Sequence, residues 1–149
     1  MPHELLQTIE KEHLNIKELL HKIENKSARA VKTKDDLFMK LKRELIPHMK
    51  GEEKHFYPLL MNKKAGKQVG MEAMEEHHAA EMLLKELDQL PTSEENWDAK
   101  FAVFAEILRH HIQEEEDNVF DAAQEVLETD ELDKAMSAYV EEKKSYDIK

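Results

Sequence analysis

The chain repeats itself. EHLNIKELL at residues 12–20 is answered by EHHAAEMLL at 76–84, and LIPHMKGEEKHFY at 45–57 by LRHHIQEEEDNVF at 108–120. Overlaid, His13 falls on His77, His48 on His111, Glu52 on Glu115 and Glu53 on Glu116. A duplicated His…His-x-x-x-Glu unit constrains the fold, because it offers four imidazoles and two carboxylates as a pseudo-symmetric set. Such a set suits two transition-metal ions held between four helices.

Apolar periodicity supplies the helices. Leu5, Ile9, His13, Ile16, Leu20 and Ile23 recur in steps of three and four, which predicts a first helix over roughly residues 3–26. A polar loop from Lys26 to Lys34 follows, with Asp35 or Asp36 placed to cap a second helix. That helix carries Leu37, Leu41, Leu45, His48, Glu52, Phe56 and Leu59 on one face. Pro47 should kink it, and Pro58 with the Asn62–Gly66 segment should end it. A third helix, about 67–90, faces inward with Met74, His77, Ala80, Leu84 and Leu87 and stops at Pro91. Thr92 with Glu95 has the pattern of a capping box opening a fourth helix. Its stripe is Trp97, Phe101, Phe104, Leu108, His111, Glu115, Ala122 and Val126. A weaker segment, about 130–146, shows Leu132, Ala135, Met136, Tyr139 and Val140 on one side and reads as a capping helix. The expected architecture is all-α: an antiparallel up-down four-helix bundle over about 3–127 plus a short C-terminal helix, one domain spanning 1–149.

His13, His48, Glu52, His77, His111 and Glu115 occupy stripe positions that would otherwise be Leu or Ile. A buried carboxylate without a partner is costly. Two of them, each four residues after a histidine and on the same helix face, call for a cation. A lone core histidine is usually just hydrogen-bonded, and that plain reading holds for His3 and His21, which have no matched partners. His78 and His110 lie about 100° around their helices from the stripe and read as exposed or supporting. His55 shares a face with His48, but its repeat partner is Asn118, which favours a supporting role. Glu53 and Glu116 follow their histidines by five residues and should face outward or to the bundle edge unless the helix bulges. Glu81 follows His77 by four residues where the first copy has Lys17; it is either a further metal ligand or a rim glutamate.

Composition excludes other classes. Three glycines and four prolines leave little turn material. A net charge of −11 argues against nucleic acid and anionic membrane surfaces. The absence of cysteine removes disulfide, zinc-ribbon and thiol chemistry. No apolar run approaches the ~18 residues of a membrane span. The N-terminal MPHELLQTIE has no basic region followed by an apolar core, so the expectation is a cytoplasmic protein.

With these residues in place, the chain resembles the hemerythrin-like (HHE cation-binding) domain family over roughly residues 5–127. The resemblance implies an antiparallel four-helix bundle holding a non-haem di-iron centre. His13 and His48 would serve one iron and His77 and His111 the other. Glu52 and the carboxylate after His111 would bridge them. Oxygen-carrying members have H-x-x-x-H on the third helix and H-x-x-x-x-D on the fourth. Here the third offers His77-x-x-x-Glu81, and the fourth offers Glu115 at i+4 and Glu116 at i+5. The stripe and the match to Glu52 favour Glu115 as the bridge, and Glu116 remains the alternative.

Mixed imidazole and carboxylate donors suit iron or manganese, although ligand type alone does not exclude zinc. Two ferrous ions can supply the two electrons that take O₂ to peroxide. Ile9, Ile16, Leu45, Met74, Phe104 and Leu108 would keep such a centre dry. The expected partner is therefore a small diatomic or peroxide ligand, with no protein partner identified. Three readings compete. One is a di-iron protein that binds or consumes O₂, peroxide or nitric oxide; the second is an iron- or oxygen-sensing module acting through a partner. The third, a ferritin-like oxidase, uses Glu-x-x-His pairs; Glu52…His55 and Glu75…His78 fit, but the fourth helix has none. Reversible oxygen carriage is disfavoured at Glu81 on either branch: a bound carboxylate would favour the ferric state, and an unbound one would leave an extra open position that favours turnover or attack by water.

Overall fold

The computed structural model describes residues 2–26 and 30–146. In chain order it holds α1 (Glu4–Glu24), α2 (Val31–His55), the short α3 (Tyr57–Met61), α4 (Lys67–Gln89) and α5 (Glu95–Glu114). A π-helical segment, Glu115–Val119, then leads into α6 (Phe120–Val126), and α7 (Thr129–Lys144) closes the chain. No strand occurs among the described residues, and none of their helices is long and apolar enough to cross a membrane. The four long helices form the antiparallel bundle: α1 packs on α2 and α5, and α4 on α5. α7 lies on α2 and touches α1, as expected of a capping helix.

The core is split in two. One apolar cluster, built around Leu20, Phe38, Leu41, Leu84, Trp97 and Phe104, fills one end of the bundle. The other, including Leu5, Ile9, Phe56, Tyr57, Phe120 and Tyr139, fills the end beneath α7. Between them lies a layer of buried polar side chains: His13, His48, Glu52, His77, His111 and Glu115. α1 and α4 pass from one apolar cluster to the other through this layer, and α2 and α5 reach the second cluster through their continuations, α3 and the π segment with α6.

Both copies of the repeat disturb their helix at the same place. In the first, α2 ends at His55, Phe56 adopts φ −116° and ψ −61°, and α3 restarts at Tyr57. In the second, the wider π turn runs to Val119 and α6 restarts at Phe120. Tyr57 and Phe120 are repeat equivalents. A π turn holds one extra residue, so it rotates everything after it. The inward positions beyond Glu115 are accordingly Val119, Phe120, Ala123 and Leu127. Ala122 and Val126, which an uninterrupted stripe places inward, are only half-buried.

Local details correct three other expectations. α2 begins at Val31, a full turn earlier than an Asp35 or Asp36 cap requires, and its N-cap Ala30 makes no side-chain hydrogen bond. Asp35 instead accepts a 2.7 Å hydrogen bond from Thr92 Oγ1. Thr92 therefore ties the α4–α5 connection to the start of α2 and does not cap α5, whose N-cap is Glu94. The capping box of this chain is Glu128 with Glu131, at the start of α7. The second helix, expected to run on through Phe56 and Leu59, instead ends at His55 and breaks at Phe56, with Pro47 inside α2. The predicted loop from Lys26 to Lys34 falls partly on residues 27–29, outside the described residues.

Trp97 anchors the first cluster. Its ring stacks on Phe101 at 5.1 Å, its Nε1 donates to the Leu87 carbonyl at 3.2 Å, and Lys34 lies over its face at 5.4 Å. Trp97→Ala should lower unfolding free energy by about 3–5 kcal/mol, measured by urea titration. Because the polar layer is separated from this cluster, the metal bound per folded chain should not change.

Candidate metal centre

Each helix of the bundle delivers one imidazole to the layer: His13 from α1, His48 from α2, His77 from α4 and His111 from α5. Glu52 comes from the last turns of α2 and Glu115 from the first residue of the π segment. The widening begins at Glu115, so that residue keeps its place one turn after His111. All six side chains are essentially inaccessible, His48 being the most exposed at 3%. Their donor atoms form two groups. His13, His48, Glu52 and Glu115 lie within 4.8 Å of one another, as do Glu52, His77 and His111. Glu52 belongs to both, with its Oε1 3.1 Å from His48 Nε2 and 3.2 Å from His77 Nε2. Glu115 reaches both halves as well, 2.9 Å from His13 Nε2 and 4.0 Å from His111 Nε2.

Closeness here is not satisfaction. His13 Nε2, both oxygens of Glu52 and Glu115 Oε1 are buried without an aligned hydrogen-bond partner, even where an opposite charge stands near. Such atoms are rare in protein interiors and each is costly. Lone pairs converging on two points in a dry layer fit metal ions, and the residues present suit that role.

The outer faces of the histidines are held just as regularly. Glu116 binds His13 Nδ1 at 2.8 Å, Glu12 binds His48 Nδ1 at 2.7 Å, Glu53 binds His77 Nδ1 at 2.8 Å and Glu76 binds His111 Nδ1 at 2.7 Å. A carboxylate accepting Nδ1–H leaves the Nε2 lone pair facing inward, ready for a cation. Glu53 and Glu116, expected to face outward, are thus half-buried supports, each gripping a histidine on another helix. Glu12 and Glu76 were not singled out in the sequence. Their signal was the repeated Glu-His dipeptide, 12–13 and 76–77. Glu81 does not reach the cluster: its oxygen pairs with Lys50 Nζ at 2.9 Å. His55 meets Glu142, His3 caps α1 at Leu5 N and pairs with Asp133, and His78 and His110 are exposed.

Tyr57 breaks the symmetry. Its ring is fully buried, edge-on to His77 at 5.0 Å, while its equivalent Phe120 stacks on His13 at 6.4 Å. The Tyr57 hydroxyl lies 3.1 Å from His77 Nε2 and 3.3 Å from His111 Nε2, and it donates a short hydrogen bond to Glu115. One half of the centre therefore has a phenol oxygen where the other has a bare ring.

The electrostatics follow from this geometry. Burial opposes charge on His77, but the close Glu52 carboxylate and the hydrogen bond His77 donates to Glu53 outweigh it and raise its pKa to about 9. His13 and His48 are raised against burial in the same way, by Glu115 with Glu116 and by Glu52. Burial also works against ionised Glu52, yet the charge of His48 and the other polar groups crowded around it hold it well below the usual carboxylate range. Glu115 is pushed up by burial and by facing Glu52. Two such carboxylates cannot both ionise cheaply, and it is Glu115 whose ionisation is the less favoured.

Residues 4–123 match the family profile described as Hemerythrin HHE cation binding domain. The chain belongs to that family. It also resembles the crystal structure of a hemerythrin HHE cation-binding domain-containing protein from Mycobacterium kansasii. The TM-score is 0.79 at 25% identity, over 97% of this chain and 89% of that one. A search of curated proteins finds no match. Membership of the hemerythrin HHE family implies cation binding, and the buried His/Glu layer is where this member has the donors for it.

Cation binding requires neutral imidazoles, and this sets a pH dependence. His77 has a pKa raised from 6.5 to about 9, so its charged form stabilises the metal-free fold below pH 6.5. That contribution is lost as pH rises through about 9. Metal binding gains over the same window as the competing protons leave. The melting temperature of chelated protein should therefore fall between pH 6.5 and 9, and its gap to the metal-loaded protein should widen. A gap that stays constant across the window would count against His77 being freed of its proton by the metal.

Proposed function

We propose that this hemerythrin-like domain holds two iron ions and reacts with small oxidants, O₂, peroxide or nitric oxide, without carrying O₂ reversibly. One ion would sit on His13 and His48, the other on His77 and His111, with Glu52 and Glu115 between them. The unsatisfied buried donors carry this reading: His13 Nε2, both Glu52 oxygens and Glu115 Oε1 make no aligned hydrogen bond although they crowd together. Imidazole nitrogen and carboxylate oxygen, without sulfur, suit iron, with manganese the nearest competitor.

Tyr57 argues for an oxidant-consuming centre. Where oxygen carriers have a second third-helix histidine this chain has Glu81, and Glu81 pairs with Lys50. The Tyr57 hydroxyl approaches the same pair, His77 and His111. Burial beside Glu115 and Glu52 raises its pKa far above the ordinary phenol value. A cation at that point reverses the preference, because it stabilises phenolate. An anionic oxygen donor then favours the more highly charged, ferric state by simple Coulomb attraction. Such a centre gives up electrons readily and regains them poorly. Bound in this site, the iron pair supplies the electrons for reduction of a small oxidant, and the chain's own residues keep water out and hold the imidazoles in one tautomer.

Protein purified after growth in iron-rich medium should contain two iron ions per chain and show a visible phenolate-to-iron absorption. Tyr57→Phe should abolish that absorption and slow air oxidation of the ferrous protein several-fold while keeping both metals. Reversible uptake of O₂, released under vacuum by the native protein, would restore oxygen carriage. A visible spectrum unchanged in Tyr57→Phe would remove Tyr57 from the donor set.

A further inference from the structure

α7 touches the centre on one side only. Its Tyr139 hydroxyl donates a short hydrogen bond to Glu12 Oε1, the same oxygen that holds His48 Nδ1, and lies 3.0 Å from that nitrogen. One helical turn on, Lys143 Nζ makes a close ion pair with the other oxygen, Glu12 Oε2. The Tyr139 ring is fully buried and stands edge-on to His48 at 6.5 Å. It can sit there because residue 51 is glycine: a Cβ at Gly51 would lie 2.7 Å from two of its ring carbons.

The equivalent carboxylate in the other half has no such cover. Glu76 holds His111 as Glu12 holds His48, but its side chain is 32% exposed against 12% for Glu12. It lines an open groove of about 360 Å³ between α4 and the π segment, in company with Glu72, Glu114 and Asp121. Pseudo-symmetric imidazoles are thus supported by unlike carboxylates, one enclosed and paired with a lysine, the other wet and among acids.

We propose that α7 is a positioning element for the metal held by His13 and His48. Tyr139 and Lys143 fix both oxygens of Glu12, and Glu12 fixes the tautomer and ring orientation of His48. Lys143 also draws negative charge on Glu12 away from the imidazole. Without these ties Glu12 is free to turn into water, and His48 loses its orientation. The proposal rests on the two-metal reading above and adds that the two sites differ in strength because one helix serves only one of them.

Release of iron to an excess of ferrous chelator, followed anaerobically on the full chain, separates the two ions. Lys143→Gln and Tyr139→Phe should each speed loss of one ion by about 10- to 100-fold, the usual effect of removing an outer support, while the second leaves at the native rate. Lys143→Arg, which keeps the cation, should restore the native curve. Gly51→Ala should reproduce the one-ion defect without changing a polar group, by displacing the Tyr139 ring. Glu76→Gln should weaken the opposite ion, so that combined with Lys143→Gln both leave fast. Native release curves in folded Lys143→Gln and Tyr139→Phe, or equal acceleration of both ions, would overturn the role of α7. A native chain that binds fewer than two ions would instead overturn the two-metal reading, and this proposal with it. Helix content by circular dichroism marks any variant that has not folded, and Lys143, being partly exposed, is the substitution least able to disturb packing.

Discussion

Two carboxylates, Glu52 and Glu115, face each other in a layer that water does not reach, and the rest of the bundle is arranged around that repulsion. Like charges this deep need compensation within a few ångströms. Four imidazoles surround them, one from each long helix, and they can answer in either of two ways. Protonated, they pair directly with the carboxylates, which is why His13, His48 and His77 titrate high. Neutral, they turn Nε2 lone pairs toward a cation that does the same work better. Either answer requires all four histidines at one depth. A slip of one helix by a turn, about 5.4 Å, would move an imidazole out of the layer and into apolar packing. The polar layer therefore fixes the register of the four helices, which two leucine- and phenylalanine-rich clusters alone would define loosely.

The duplication seen in the inner residues continues outward. Glu12 and Glu76 precede His13 and His77 in the chain but bind His48 and His111; Glu53 and Glu116 follow His48 and His111 but bind His77 and His13. Each copy of the repeat thus orients the imidazole of a neighbouring helix, so no half of the centre can be ordered without packing against another element. On this symmetric frame two differences stand out. Tyr57 replaces Phe120 on the His77 side, and α7 covers only the His48 side. Tyr57 reaches into the inner layer and hydrogen-bonds Glu115, whereas α7 acts from outside it through Glu12, so each makes the halves unequal by a different route.

The sequence made legible what periodicity and repetition encode. The six inner residues could be read because each replaced an aliphatic side chain on a stripe and each had a counterpart. The helices were readable for the same reason up to Glu115. Beyond it the stripe failed by one residue, since a π turn leaves no mark in local composition, and Ala123 and Leu127 took the places given to Ala122 and Val126. The outer carboxylates were hidden because their partners are on other helices; spacing from the nearest histidine in the chain sent Glu53 and Glu116 outward. Tyr57 was visible as a mismatch with Phe120 in an otherwise matched segment, but only the fold shows that this position points at the opposite pair of imidazoles. Glu81 could not be decided locally, because the lysine that claims it, Lys50, belongs to α2.

Charge balance carries the argument one step further. The centre gathers six carboxylates: Glu52 and Glu115 inside, Glu12, Glu53, Glu76 and Glu116 outside. Lys143 pairs with Glu12 and Lys50 with Glu53, although Lys50 is shared with Glu81. Under the two-iron proposal, two divalent ions with Lys143, Lys50 and Lys17, which lies near Glu116, would match these six carboxylates and Glu81, so a ferrous pair with a neutral Tyr57 would leave the region close to electroneutral. Ionising Tyr57 adds a negative charge that no nearby lysine answers, and raising one ion to the trivalent state answers it directly. In a medium of low polarizability that preference is larger than it would be in water. On that proposal the phenol oxygen and the oxidised metal would be mutually stabilising, whereas a site lined by neutral imidazole at the same point would have no reason to prefer the ferric form.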